Sequence, residues 1–416
     1  MSLAQKPRTI LLLAAILAAS CFAVIFAARH RAQRDSAARA TAPHINWFYN
    51  AGPGALSGIA LAPDGTIHFA AADGIYALSP QGQLLWKAPL PFGPVVAAPT
   101  IGSDGTLYLG SQSGKLFALD RSGNLIWESA DTKHKLVTPP ALGDGPTLYA
   151  TDDHANVFAF APSVDTSYKW DLITFDKSAP KDGLLLGGSD PYNTRPWYSA
   201  PAIGRDDMLY LVHESWLYQI SAAGEIQHYT QFFGGTPGFP AIGPEGNVYI
   251  GGHHWATIAA VDIQGKQLWG MRTSREVLGS PVVDNSGKIY FCDSDFAKAY
   301  STDGHMIWSL NLACNSGPAL ASDGTLFLGA NGPPQPTGPP QTYLAAVTSD
   351  GQLKWKAEIH GVVRDAPAIA QDGAIFFTTD QGYVYSAFDS GAPPMDSSWP
   401  RFQHDAQNTG RVPFSR

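Results

Sequence analysis

The sequence predicts an all-β fold, an eight-bladed β-propeller of four-stranded antiparallel blades, preceded by one apolar N-terminal helix. Three observations lead there. Glycine (42) and proline (32) are abundant while charged residues make up only 15% of the 416-residue chain, a composition suited to short strands and tight turns rather than to long solvent-facing helices. One phrase returns every ~40 residues, the period of a propeller blade. The first and last copies are each incomplete, in ways that make one whole blade of the two.

In chain order, Thr9 to Ala28 is an apolar run of twenty residues, interrupted only by Thr9 and Ser20, long enough to span a bilayer as a helix. Three readings of it stay open. The length favours an uncleaved signal anchor; Ala18-Ala19-Ser20 offers a cleavage site; Cys21 follows small residues as a lipid-modified cysteine does, although Leu17 is one place too far away and an apolar run continues beyond. Arg29, Arg31 and Arg34 after the helix favour a cytoplasmic exit, yet long domains translocate largely regardless of nearby charge. The expectation is therefore a membrane-anchored propeller outside the cytoplasm, periplasmic or at the cell surface. Residues 29–42 read as a flexible tether.

The propeller is expected over residues 43–411, with a tail at 412–416. Its second copy runs Ala98-Pro99-Thr100-Ile101, Asp104-Gly105-Thr106-Leu107-Tyr108-Leu109-Gly110, Gly114-Lys115-Leu116-Phe117-Ala118-Leu119-Asp120, then Gly123-Asn124-Leu125-Ile126-Trp127. Asp-Gly or an equivalent joins the first strand pair, supplying the positive φ that a two-residue hairpin needs. The closing aromatic returns as Trp86, Trp127, Trp170, Tyr229, Trp269, Trp308 and Trp355. His44-Ile45-Asn46-Trp47 matches only a last strand, and the copy beginning at Ala366 lacks one, so the N-terminal strand should complete the final blade. Two excursions interrupt the repeat, a long one at about 161–198 and a Pro-rich one at 332–340.

The phrase Ala-x-Asp-x-x-Gly-x-x-x-Trp, at Ala118/Asp120/Gly123/Trp127 and Ala260/Asp262/Gly265/Trp269, resembles the tryptophan-docking repeat of pyrroloquinoline-quinone-type propellers. Trp399-Pro400-Arg401-Phe402-Gln403-His404-Asp405 and Asn408-Thr409-Gly410-Arg411 resemble a segment flanking such propellers, here expected to cap the ring. The overall plan is similar, in architecture alone, to the scaffold lipoproteins of outer-membrane protein assembly. The resemblance implies that Trp47, Trp86, Trp127, Trp170, Trp269, Trp308 and Trp355 dock blades together. It also raises a quinone-dependent oxidoreductase as the alternative function. Against that stand only three cysteines, Cys21, Cys292 and Cys314, none adjacent, and the lack of a nucleophile elbow, HExxH, phosphate loop or CxxC. No cofactor is expected.

Charge narrows the partners. Residues 1–41 hold six of the 27 bases and one of the 35 acids, leaving 34 acids to 21 bases in the body, which excludes nucleic acid as a partner. The second-to-third turns and the blade-to-blade connections vary most, and function concentrates on variable loops held by a rigid scaffold. On that face blades three to six carry Asp152, Asp153 and His154; His213, Glu214 and Trp216; His253, His254 and Trp255; and Asp293, Asp295 and Phe296. Three readings stay open for this sector: aromatics plugging the ring mouth with solvated polar neighbours, a protein, peptide or glycan surface, and a metal site built on His213, His253 or His254. Cys292 and Cys314 fall on the same side of neighbouring blades and form a candidate disulfide.

Overall fold

Each repeat folds as four strands because its apolar runs are cut by turns that lock one backbone hand. Asp64, Asp104 and Asp323 each accept the N–H of the residue two further on at 2.9 Å, an Asx turn. The residue between, Gly65, Gly105 or Gly324, takes φ of 82–85°, a conformation that favours glycine.

The structure is a computed structural model that describes residues 38–39, 44–89, 93–145, 147–153, 156–162, 168–172, 199–213, 216–232, 239–252, 257–333, 335 and 337–412. It contains eight antiparallel sheets arranged as eight blades. Blade one comprises Ala60–Leu61, Ile67–Ala71, Gly74–Leu78 and Leu84–Ala88, and the others follow the same order from channel to rim. In blades one and five the second and third strands are buried along their whole length, being covered on both faces by neighbouring blades. Outer strands such as Gln267–Arg272 alternate between half-buried and exposed, as a rim strand packed on one side must.

The ring closes as the sequence predicts. Ile45–Asn50 pairs antiparallel with Tyr383–Phe388 as the outer strand of blade eight, and Ala38–Arg39, within the expected tether, pairs outside it with Phe48 and Trp47. The expected membrane helix lies outside the described residues; among those described, no helix is long and apolar enough to cross a membrane. Tyr168–Leu172 pairs with Val157–Phe160 as the outer strand of blade three. Residues 168–172 of the excursion expected at about 161–198 thus belong to a blade, and residues 163–167 and 173–198 lie outside the described residues.

The tryptophans dock blade to blade. Trp86, Trp269 and Trp308 donate their indole N–H to the carbonyls of Arg121, Thr302 and Ser349 in the next blade's outer turn, at 2.7–2.9 Å. Trp47 reaches Pro80 in the same way, and Trp355 reaches the Asp389 carboxylate. The repeat glycine is explained by the same contact: a Cβ on Gly123, Gly304 or Gly351 would meet the docked indole within 3.0 Å. Blade four breaks the pattern. The alanine that faces each tryptophan, as Ala260 faces Trp269 and Ala299 faces Trp308, is Gln219 there, and its partner is His228. Tyr229, expected to be the closing aromatic, is thus one place out of register and 45% exposed. Gln219 replaces the indole donor, its amide reaching Asp262 O at 3.2 Å.

The innermost strands show why x-Pro recurs. Each has an edge facing the channel with nothing to pair it, and Pro99, Pro140, Pro201, Pro281, Pro318 and Pro367 stand where an N–H would be orphaned. The next N–H on that edge, two residues on, is capped by the C-terminal segment. Leu61, Ile101, Leu142, Ile203, Val283 and Leu320 donate to the carbonyls of Ala406, Gln407, Thr409, Gly410, Trp399 and Pro400 at 2.7–2.9 Å. The segment expected to cap the ring thus bonds six of the eight inner strands, and Trp399 is 1% exposed within it.

Candidate functional site

The sector singled out in the sequence divides into structural acids and accessible aromatics. Asp152 is fully buried, its two carboxylate oxygens accepting the backbone and side-chain N–H groups of Asn156 at 2.9 and 2.7 Å. Asp153 holds the incoming connection, accepting the Lys135 N–H and donating its own to Lys135 O. Asp293 is equally buried. Its Oδ1 accepts the N–H groups of Asp295 and Phe296, and its Oδ2 pairs with Lys298 Nζ at 2.6 Å. Lys298, which the sequence reading missed, is 6% exposed and lies 5.1 Å from the centre of the Phe296 ring. A buried lysine on the blade's third strand, five residues after an aspartate at the turn, was the available signal.

Trp216, Asp295 and Phe296 do present surface. Trp216 is half-buried, opens the third strand of blade four opposite His213, and lies 5.8 Å from the Tyr229 ring. Asp295 is exposed and paired with Arg275 at 3.1 Å. His154, Glu214, His253, His254 and Trp255 lie outside the described residues, as does the side chain of His213. Among the described residues no three His, Cys, Asp or Glu side chains converge as metal ligands would. Cys292 and Cys314 are buried free thiols.

A second group of polar residues, not singled out in the sequence, lies where the C-terminal segment crosses the channel. Arg401 is 4% exposed and donates to Asp405 O, Asn408 Oδ1 and Ala366 O at 2.7–3.2 Å, leaving Nε without a partner among the described residues. Burial lowers its pKa to about 10, with Asp405 and Asp365 opposing. Asp365 stands in blade eight where blades one, four and seven have Ser57, Ser199 and Ser316. It is half-buried, and burial pushes its carboxyl up to about 6 despite Arg401. Burial also acts to raise Asp405, but hydrogen bonds from His404 and Thr409 outweigh it and hold the carboxyl below its usual range. Gln403, His404 and Asn408 all take positive φ, strain that the surrounding bonds must hold in place.

Cavities of about 710 and 730 Å³ flank this segment on the tight-turn face, opposite the predicted partner face. One opens between blades seven, eight and one beside Arg401, His404 and Ile369; the other opens between blades two and three beside Tyr108 and Thr409. Ile369 is one of two inner-strand residues, with Ile242, whose channel-side N–H has no partner among the described residues. Both hollows are lined jointly by blade residues and the C-terminal segment, which lies outside the repeat, so no local pattern in the repeat signals them.

Four-stranded blades, indole docking onto the following blade's glycine turn and ring closure by the N-terminal strand define a propeller of the pyrroloquinoline-quinone-like repeat class. A family model described as outer membrane protein assembly factor BamB matches residues 54–179 and 293–393, more than half of the chain, and the chain belongs to that family. No curated protein matches the chain in sequence. Among solved structures it is similar to the computationally designed Ika8 protein, at 14% identity and a TM-score of 0.62, covering 81% of this chain and 97% of that one. It is also similar to virginiamycin B lyase from Staphylococcus aureus, at 11% identity and a TM-score of 0.54, covering 82% and 98%. At those identities the likeness is one of fold.

Proposed function

We propose that the protein is a non-catalytic, membrane-anchored propeller of the cell envelope that binds a protein partner through the long-loop face over blades three to six. Membership of the BamB family is the observation that carries this reading. The half-buried Trp216 and Phe296, beside the exposed Arg275–Asp295 pair, have the composition of a binding patch, with aromatic anchors and an adjacent polar rim. Asp152 and Asp293 support it from beneath as turn anchors and make no contact with the partner.

The test is capture of envelope proteins by chemical cross-linking to the full chain and to a Trp216→Ala/Trp255→Ala double variant. Loss of a specific cross-linked partner with a melting temperature little changed is the expected result. Undiminished capture by the double variant refutes the assignment of the face. A saturable, concentration-dependent thermal shift with pyrroloquinoline quinone and calcium, the mass-action signature of a native-state ligand, would instead put the quinone-dependent oxidoreductase first.

A further inference from the structure

We propose that Cys292 and Cys314 form a disulfide that covalently joins blade six to blade seven. Cys292 lies in the second strand of blade six, opposite Ala297 and Leu278. Cys314 lies in the following connection and is held against blade seven on both sides: Ala313 O accepts the Asn331 N–H at 2.7 Å, and Asn315 donates to Gly329 O at 2.9 Å. The two thiols, 1% and 2% exposed, share one apolar cluster, and Cys292 is near enough to act on the Cys314 thiol electrostatically. Two separately anchored backbones therefore bring their cysteines into one apolar cluster across a blade boundary.

The position of Cys292 in the repeat supports the same role. Two residues after the docking aromatic of the second strand, blade three has Thr151 and blade eight has Thr378. Each reaches the start of the next blade through its hydroxyl, Thr151 to Ser199 O at 3.2 Å and Thr378 to Ser57 O at 2.8 Å. Cys292 occupies this linking position in blade six, in the same apolar cluster as Cys314 on the connection held against blade seven. A hydrogen-bonded link in two blades thus becomes a bondable one in a third.

Closure needs an oxidant, and a small-molecule disulfide such as glutathione disulfide supplies it. One cysteine thiolate attacks that disulfide and releases a thiol; the second displaces the remaining half. The two cysteines lose two protons and two electrons, and the oxidant leaves as two thiols. Burial pushes the Cys314 thiol up, with Cys292 and the Asp293 carboxylate adding to the effect, so the thiolate is scarce once the blades have packed. The bond should form while blades six and seven come together. This chemistry needs an oxidising compartment and does not depend on the partner face proposed above.

The test is to refold the reduced full chain with a glutathione redox couple, alkylate it in denaturant without reduction, and map the peptides. A Cys292–Cys314 linked peptide is expected, with a melting midpoint a few degrees above that of protein refolded under reducing conditions. A Cys292→Ala/Cys314→Ala variant should show no difference between the two conditions. Finding both cysteines alkylated after oxidative refolding, or either one linked to Cys21, overturns the proposal. Should the full chain not refold, the same map after diamide treatment of the native reduced protein reads the same bond, with the same two outcomes.

Discussion

Replacing Trp308 by alanine should cost about six times what replacing Tyr229 costs, although both close the last strand of a repeat. Trp308 lies on Gly351 of the next blade, 6.0 Å from the Tyr290 ring, and donates to Ser349 O at 2.9 Å. Truncating a fully buried tryptophan costs about 3–5 kcal/mol. Trp308 is half-buried, so roughly half of that applies, and the lost hydrogen bond adds about 1 kcal/mol. The sum is about 3 kcal/mol. Tyr229 is 45% exposed and one place out of register, so its removal should cost about 0.5 kcal/mol, as for most surface substitutions. Urea unfolding followed by far-ultraviolet circular dichroism, with m compared across variants, measures both values. A Gln219→Ala/His228→Trp variant should recover a dock and raise the midpoint. Equal losses at Trp308 and Tyr229 would refute the assigned register of blade four.

Three further outcomes follow from buried polar groups. Burial holds His68 down to about 4 and its Nδ1 has no partner among the described residues, whereas Phe327 and Phe376 fill the same place in blades seven and eight. Its folded pKa is depressed, so stability is lost as pH falls from 6.5 toward 4; Asp365, raised to about 6, works in the opposite sense between 6 and 3.8. Each amounts to at most about 3 kcal/mol, the Asp365 share reduced because that residue keeps accessible surface. Relative to the unsubstituted protein, His68→Phe should gain stability between pH 6.5 and 4 and Asp365→Asn should lose it, and parallel midpoint-against-pH curves for all three would contradict both assignments. Lys298→Met should cost about 3–5 kcal/mol by leaving Asp293 charged and unpaired, and the cost should shrink in the Asp293→Asn/Lys298→Met double variant; measured unfolding free energies without that recovery would rule out the pair as the cause. Deleting residues 393–416 removes six inner-strand hydrogen bonds and the buried Trp399, together about 8 kcal/mol, comparable with the whole stability of a domain. The shortened chain should therefore fail to give a cooperative melt by calorimetry, and an unchanged midpoint would show that the cap is dispensable.

The sequence by itself determined the strands, the turns, the number of blades and the closure of the ring, because each is written in chemistry that acts over a few residues. Asp-Gly turns set the hairpins, Gly-x-x-x-Trp set the docks, and His44–Trp47 could only be a last strand in want of a blade. Tertiary structure decided matters that turn on which neighbour a side chain meets. One register was legible but missed: His228, four residues after Gly224 as Trp269 is after Gly265, takes the docking position instead of Tyr229. Asp152 and Asp293 read in sequence as acids of exposed turns, yet only the packing of adjacent blades shows that they are buried and already bonded. The Asp365–Arg401 group and its flanking cavities arise where residues far apart in sequence meet at the channel. A repeat pattern cannot specify such a place, since the segment that builds it lies outside the repeat.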